Sequence, residues 1–156
     1  MTTRLSASAL NTEAYRAMFR LEQTVKNSGL EPSLLELVKL RASQINQCAF
    51  CIDMHTKDAR AAGETEQRLY LLSAWREAPF YSERERAALE WTESLTLIAN
   101  NQVPDEIYER VAPHFTEEEL VNLTLAVVAI NGWNRFAISF RSEPGTYQPK
   151  QAAAHS

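Results

Sequence analysis

The sequence predicts an all-α protein, a compact single-domain bundle of about seven helices. The 156 residues include only 4 glycines and 6 prolines, too few for the frequent turns of an all-β sandwich or barrel. Capping boxes recur along the chain, in which Ser or Thr and a Glu three residues later bond each other's backbone amides. These pairs are Ser33 with Glu36, Ser82 with Glu85, and Thr116 with Glu119.

The first three predicted helices cover residues 9–28, 33–46 and 48–62. Gly29 and Gly63 follow the first and third of these segments, where a left-handed residue commonly ends a helix. The polar stretch at 44–47 separates the second helix from the third. We therefore expect two closely connected helices around residue 47.

The next three predicted helices cover residues 65–77, 83–100 and 104–114. Pro79 falls in the first gap and Pro104 stands where the third helix begins, a position that proline tolerates. These prolines agree with the limits of the predicted helices.

The last predicted helix, 117–141, has apolar residues around most of its circumference. Such a helix must be covered on all sides, either at the centre of the domain or against another subunit. Its uncharged stretch, 120–134, contains three asparagines and falls short of the roughly 20 residues of a membrane span. We expect the domain to cover 1–149 and residues 150–156 to form a disordered tail.

The net charge bears on nucleic-acid binding, and the first residues bear on the location of the protein. The net charge is −4, and no basic run could neutralise a series of phosphates, so a nucleic-acid partner is not expected. Residues 1–8 are polar and lack the apolar run of a secretory signal, which predicts a cytoplasmic protein without a membrane segment.

Both cysteines fall in one motif, Cys48-x-x-Cys51, with His55 four residues further on. At 100° per residue these three side chains share one helix face. The helix is predicted to begin near Cys48, where unpaired amides and the helix dipole favour thiolate over thiol. A neighbouring imidazole can accept the thiol proton.

Four interpretations of this motif compete. Two buried cysteines beside a core histidine are common in protein interiors, and a structural zinc site would need a fourth ligand, for which only His114 and His155 remain. A permanent disulfide would close a very small loop in a reducing compartment. Reversible dithiol–disulfide chemistry is the interpretation that the spacing favours.

Glu36 lies 12 residues before Cys48 on the preceding predicted helix. Taken alone, it would be a capping residue or the partner of Lys39. In this chain Glu36 is followed by eleven residues and then by Cys48-x-x-Cys51-x-x-x-His55. The spacing of these residues resembles the signature of the alkyl hydroperoxidase D branch of the carboxymuconolactone decarboxylase superfamily. The downstream residues that support this resemblance are Asn134, Arg135, Pro144, Gly145 and Tyr147.

The resemblance implies a cysteine-based peroxidase that needs no metal or other cofactor. In it, Cys51 attacks the hydroperoxide, Cys48 forms the disulfide, His55 moves the proton and Glu36 orients His55. The implied reductant is a dithiol on a lipoyl protein, a thioredoxin-like protein or a peroxiredoxin, and the implied assembly is a trimer or hexamer. Phe50 stands where the best-studied branch has a second histidine, so the implied relay is shorter here.

Two other functions remain open at this point. The cysteine pair could be a redox sensor in a regulatory or subunit-interaction module. Alternatively, Cys48, Cys51 and His55 could bind a metal ion.

Overall fold

In the computed structural model, which describes residues 2–149, helices are the only regular secondary structure, and none of these residues forms a β-strand. The α-helices are α1 (Ala7–Leu10), α2 (Glu13–Lys26), α3 (Pro32–Ile45), α4 (Ala49–Ala61), α5 (Glu66–Leu71), α6 (Glu83–Thr96), α7 (Ile98–Asn101), α8 (Asp105–Val111) and α9 (Glu117–Phe140). Short 3₁₀ turns, Leu72–Ala74 and Ala112–His114, follow α5 and α8. The predicted all-α fold is confirmed, and the predicted tail at 150–156 lies outside the described residues.

Two of the predicted helices are divided. The segment 9–28 breaks at Asn11, whose φ of 47° is left-handed, and Thr12 then caps α2 through its side chain. The segment 83–100 bends at Leu97 and continues as the single turn α7. Gly29 and Gly63 adopt the predicted left-handed conformation, with φ of 84° and 97°.

Two capping boxes form as predicted, and the third does not. The Ser82 and Thr116 side chains accept bonds from the third residue of α6 and α9, while Glu85 and Glu119 bond back. The expected cap at Ser33 is wrong, because Pro32 occupies the first position of α3 and Glu31 precedes it without a side-chain cap bond. Glu36 is thereby left free to bond elsewhere.

The core is organised around α3 and α9. α3 packs against α4, α6 and α9, and α9 also contacts α2, α4 and α6. The side chains that fill this core are almost fully buried and include Leu37, Val38, Leu40, Leu123 and Ile130. The two apolar helices therefore cover each other, which leaves α4 on one side with its first turn against α9.

The apolar side chains of α9 fit its central position, where it contacts α2, α3, α4 and α6. By length and composition alone α9 could cross a membrane, but the core helix of a globular bundle meets the same criteria. Leu123, Ala126 and Ile130 are fully buried against neighbouring helices. Val121 and Val128 remain 68% and 55% exposed, so the bundle does not cover every apolar side chain of this helix.

Candidate active site

The turn between α3 and α4 places Cys48 at the beginning of a helix. Gln47 adopts a left-handed φ of 57°, and the Cys48 amide donates to the Ser43 carbonyl at 3.0 Å. Cys48 is the N-cap residue of α4, and its sulfur accepts a bond from the Cys51 amide at 3.4 Å. The predicted position of the motif at a helix start is confirmed, so backbone dipoles point toward both sulfurs.

Cys48 and Cys51 are joined as a disulfide, with their Cα atoms 5.3 Å apart. The two residues are 1% and 2% exposed and pack with Ala137 of α9 and with the partly buried Phe50. The dithiol of the motif can therefore close within one helical turn, as its spacing predicted.

Polar side chains attach the cysteine turn to α9. The Asn46 side-chain amide donates to the side-chain oxygens of Asn131 and Asn134, each at 2.9 Å. Asn134, which is 1% exposed, donates in turn to the Ser43 hydroxyl at 3.0 Å. Three long-range bonds thus hold the loop that carries Cys48, and they give Asn134 a structural role.

His55 bonds Glu36 across the α3–α4 pair. The distance from His55 Nδ1 to Glu36 Oε2 is 2.9 Å, and the two side chains are 8% and 22% exposed. An ionised carboxylate can only accept, so Nδ1 carries the hydrogen and Nε2 is the basic nitrogen of the neutral ring. His55 lies one turn beyond Cys51 on α4, so the two side chains are neighbours on one face of that helix.

The structure places the four residues that the sequence singled out on the α3–α4 pair, as a Cys48–Cys51 disulfide and a Glu36–His55 hydrogen bond, and their roles stay predictions. Lys39, the other partner considered for Glu36, instead pairs with Glu22 of α2. Glu36 is therefore engaged with His55 rather than with a helix end or a lysine.

Two further residues extend this arrangement, and sequence reasoning missed their role. Asp58 lies one turn beyond His55, and ligand atoms of Glu36, His55 and Asp58 all lie within 4.8 Å of one another. The Tyr147 hydroxyl donates to Asp58 Oδ1 at 2.7 Å. The spacing of three residues between His55 and Asp58 was the available signal, whereas nothing local connects Asp58 to Tyr147.

Burial and the adjacent negative charges perturb the Tyr147 phenol. Burial, the hydrogen bond to Asp58 and the charges of Asp58 and Glu36 together raise the pKa of Tyr147 to about 12. The phenol therefore remains protonated and a donor throughout the neutral pH range.

The segment that carries Tyr147, residues 143–149, is called the C-terminal strap below. The Lys57 ammonium donates to the strap carbonyls of Gly145 and Tyr147 at 3.3 and 3.0 Å. The Gly145 amide donates to Asp53 at 3.0 Å, and the Lys57 hydrogen bond is the main cause that lowers the pKa of that carboxyl. The strap is thus attached to the outer face of α4.

An open cavity of about 810 Å³ lies beside the carboxylate end of this network. Glu36, Asp58 and Tyr147 contribute to its wall, together with Lys26 and Arg68. The two cysteines are not part of this wall. The cavity therefore gives solvent access to the carboxylates and not to the sulfurs.

The metal set considered from the sequence, Cys48, Cys51 and His55, is not gathered as ligands. The cysteine sulfurs bond each other, and His55 Nδ1 faces Glu36. Within the described residues, the side chains close enough to share an ion are Glu36, His55 and Asp58.

Comparison with known proteins identifies related chains. The model of the carboxymuconolactone decarboxylase family matches residues 12–94, more than half of the chain. The protein YdfG of Bacillus subtilis (strain 168) is 50% identical over 139 residues, which cover 89% of this chain and 95% of YdfG.

Solved structures agree with this relationship. ATU0492 from Agrobacterium tumefaciens, described as a protein of unknown function and a candidate antioxidant defence protein AhpD, superposes with a TM-score of 0.90. It is 46% identical, and the match covers 94% of this chain and all of that one. A peroxidase-related protein from Ralstonia eutropha JMP134 with an alkylhydroperoxidase AhpD core has a TM-score of 0.77 over 88% of this chain and 74% of its own. At 21% identity, that likeness concerns the fold alone.

Proposed function

This protein belongs to the carboxymuconolactone decarboxylase family, in its alkyl hydroperoxidase D-like branch, and we propose that it reduces hydroperoxides through the Cys48–Cys51 dithiol. The observation that carries the proposal is the placement of a carboxylate-bound imidazole one turn from a cysteine pair at a helix start. A thiolate source, a proton acceptor and a second sulfur then lie within two turns of one helix.

In the first step, Cys51 attacks the hydroperoxide as a thiolate. His55 Nε2 takes the Cys51 proton, and Glu36 stabilises the resulting imidazolium through Nδ1. The sulfur bonds the terminal peroxide oxygen while the O–O bond breaks, which leaves Cys51 as a sulfenic acid. The departing alkoxide takes the proton from His55 and leaves as an alcohol.

In the second step, Cys48 resolves the sulfenic acid. Its sulfur attacks the Cys51 sulfur, the S–O bond breaks, and the hydroxyl leaves as water with the Cys48 proton. The product is the disulfide found in the structure. Peroxide has then been reduced by two electrons, and both cysteines have been oxidised.

A dithiol must return these two electrons. We propose a lipoyl protein, a thioredoxin-like protein or a peroxiredoxin as the donor, which attacks one sulfur and leaves as its own disulfide. Such donors are maintained in the reducing cytoplasm, which is the location we propose for the reaction.

Mass measurement of the purified protein tests the proposal. The reduced chain should lose two hydrogens on addition of an alkyl hydroperoxide and regain them with a dithiol, over many peroxide equivalents. Consumption of a single equivalent without turnover for any dithiol offered would contradict the enzyme and favour a redox sensor. A stoichiometric metal in the purified protein would instead favour the metal-binding alternative.

A further inference from the structure

We propose that Asp58 and Tyr147 are positioning residues of the relay: Tyr147 holds the Asp58 carboxylate beside Glu36 and His55, where it acts as a second negative charge that stabilises the imidazolium. This inference rests on the proposed function and deepens it. Its geometric basis is the Tyr147–Asp58 hydrogen bond of 2.7 Å and the approach of Asp58, Glu36 and His55 to within 4.8 Å.

The position of Asp58 is enforced by the strap rather than by its own helix. Asp58 is partly buried, and a carboxylate at such a position would ordinarily rotate toward solvent, because rotamer freedom favours it. Here the Tyr147 hydroxyl bonds it, and Lys57 and Asp53 hold the Tyr147 backbone segment through three further bonds. The strap therefore converts a free carboxylate into one with a defined position.

The charge balance around His55 is unusual within this molecule. Most internal carboxylates here face an arginine; Glu64 and Glu85, for example, both pair with Arg68 at the same cavity. Among residues 2–149, Glu36 and Asp58 form no ion pair with a lysine or arginine. Lys26 is the remaining charged residue of the cavity wall. Two carboxylates that pair with no lysine or arginine thus adjoin one imidazole, and a positive charge that develops on this ring when it accepts a proton from a thiol lies beside both of them.

The sign of the effect on the cysteines follows from distance. Asp58 is three residues from His55 but seven from Cys51, which corresponds to about 10 Å along the helix. Its direct repulsion of a Cys51 thiolate is therefore weaker than its attraction for the His55 imidazolium. Removing the Asp58 charge should make the thiolate–imidazolium pair less favourable.

The test follows thiolate formation in the reduced protein by ultraviolet absorbance as a function of pH. Asp58→Asn should move the midpoint of thiolate formation to higher pH by about one unit, the size of effect that a nearby charge produces. Tyr147→Phe should move it in the same direction by less, because the carboxylate remains but is no longer held. In the Asp58→Asn background, Tyr147→Phe should add nothing.

Matched variants separate positioning from general effects. Glu64→Gln removes the same charge from the same cavity but leaves its Arg68 partner and the His55 surroundings in place, so the midpoint should not move. Tyr70→Phe, at a tyrosine that is 73% exposed, controls for loss of a hydroxyl. Circular dichroism establishes that each variant is folded.

An unchanged midpoint in folded Asp58→Asn would overturn the inference, as would equal shifts in Asp58→Asn and Glu64→Gln. Should Asp58→Asn not fold, the Tyr147→Phe titration decides in the same way. Thiolate formation is measured without peroxide, so the outcome is independent of whether the wild-type protein turns over hydroperoxide. Failure of the proposed function would appear only in the turnover assay.

Discussion

The order of groups along α4 sets their expected roles at the scale of single residues. Cys48 caps the helix and its sulfur accepts the Cys51 amide, whereas Cys51 lies one turn before His55. The amide favours negative charge on Cys48, and the imidazole favours it on Cys51 by removing a proton. Because attack requires deprotonation and later proton return, the sulfur nearer to His55 is assigned as the attacking one.

Substitution of each cysteine tests this assignment. Cys51→Ser should abolish peroxide reduction, while Cys48→Ser should react once and retain a sulfenic acid on Cys51. Trapping with a sulfenate-specific reagent and peptide mass analysis locates the modified sulfur. A sulfenate on Cys48 in the Cys51→Ser protein, with none on Cys51 in the reciprocal variant, would reverse the two roles.

Glu36→Gln tests the carboxylate–imidazole contact. A charge-assisted hydrogen bond is worth about 1.5–3 kcal/mol, so the rate of peroxide attack should fall roughly ten- to a hundredfold, while Gln still accepts from Nδ1. His55→Gln should lower this rate at least as much. In the double variant, the loss of activation free energy should be much smaller than the sum of the losses in the two single variants. Stopped-flow kinetics gives the rates. Ser33→Ala, one turn away without a cap bond, is the control and should leave the rate unchanged.

At the scale of helices, ion pairs connect elements that are distant in sequence. Glu93 of α6 accepts from Arg41 of α3 and from the Trp75 indole, both at 2.8 Å, and also from Arg76. Burial raises the pKa of the Glu93 carboxyl, but the hydrogen bonds from Arg76, Trp75 and Arg41 together outweigh burial and hold this pKa below its ordinary value. This carboxylate joins three chain segments.

The lowered pKa makes part of the stability dependent on pH. A depressed folded-state pKa contributes stability above the unfolded-state value, and this contribution is lost as pH falls through the folded-state value. Glu93→Gln should therefore cost about 3 kcal/mol of unfolding free energy at pH 7, as for a broken buried pair, and clearly less at about pH 3. Urea unfolding at both pH values measures the difference. An equal deficit at both would show that lost packing, not charge, is responsible.

The Ser/Thr-x-x-Glu pattern forms a helix cap at Thr116 and does not form one at Ser33, so the two positions can be compared directly. Thr116→Ala should lower the unfolding free energy by about 1 kcal/mol, because the Thr116 hydroxyl accepts a hydrogen bond of 3.1 Å from the backbone amide of Glu119. Ser33→Ala should change it by a few tenths at most, since Pro32 has displaced Ser33 from the cap position. Thermal or urea unfolding measures both, and a larger loss for Ser33→Ala would contradict the observed helix start.

Features that depend on near neighbours in the sequence could be predicted, whereas contacts between helices could not. The start of α9 and the left-handed glycines depend on neighbours within four residues, and those predictions are confirmed. The break at Leu97 was not predicted, and the partner of Lys39 lies on α2, 17 residues away. The Lys39–Glu22 contact depends on packing between helices, which local periodicity does not contain.

For the molecule as a whole, α9 occupies the centre and still presents apolar side chains outward. Val121, Val128 and Ile138 are 68%, 55% and 47% exposed in the isolated chain. Exposed valine and isoleucine on one long helix are consistent with contacts between subunits. The central position and the subunit contact, which the sequence left as alternatives, are therefore compatible.

Assembly remains a prediction with a simple measurement. We expect a stable homo-oligomer, a trimer or hexamer, at micromolar concentration. Light scattering coupled to size exclusion should return a multiple of 17.7 kDa, and a mass equal to one chain would contradict the prediction. Val128→Lys should lower the mass if α9 carries the contact, because a buried unpaired charge is costly.

The all-α class, the helix start at Cys48 and the Cys48–Cys51–His55 set were accessible from the sequence, because capping, periodicity and motif spacing act within one or two helical turns. Glu36 lies on the preceding helix and was included through the family resemblance. The hydrogen bonds that surround these residues were not accessible. The Tyr147–Asp58 bond spans 89 residues, and the Asn46–Asn134 bond spans 88. Such contacts form only once α3, α4, α9 and the strap have packed together. Bringing the ends of so long a chain segment together costs conformational entropy, which no local sequence preference offsets.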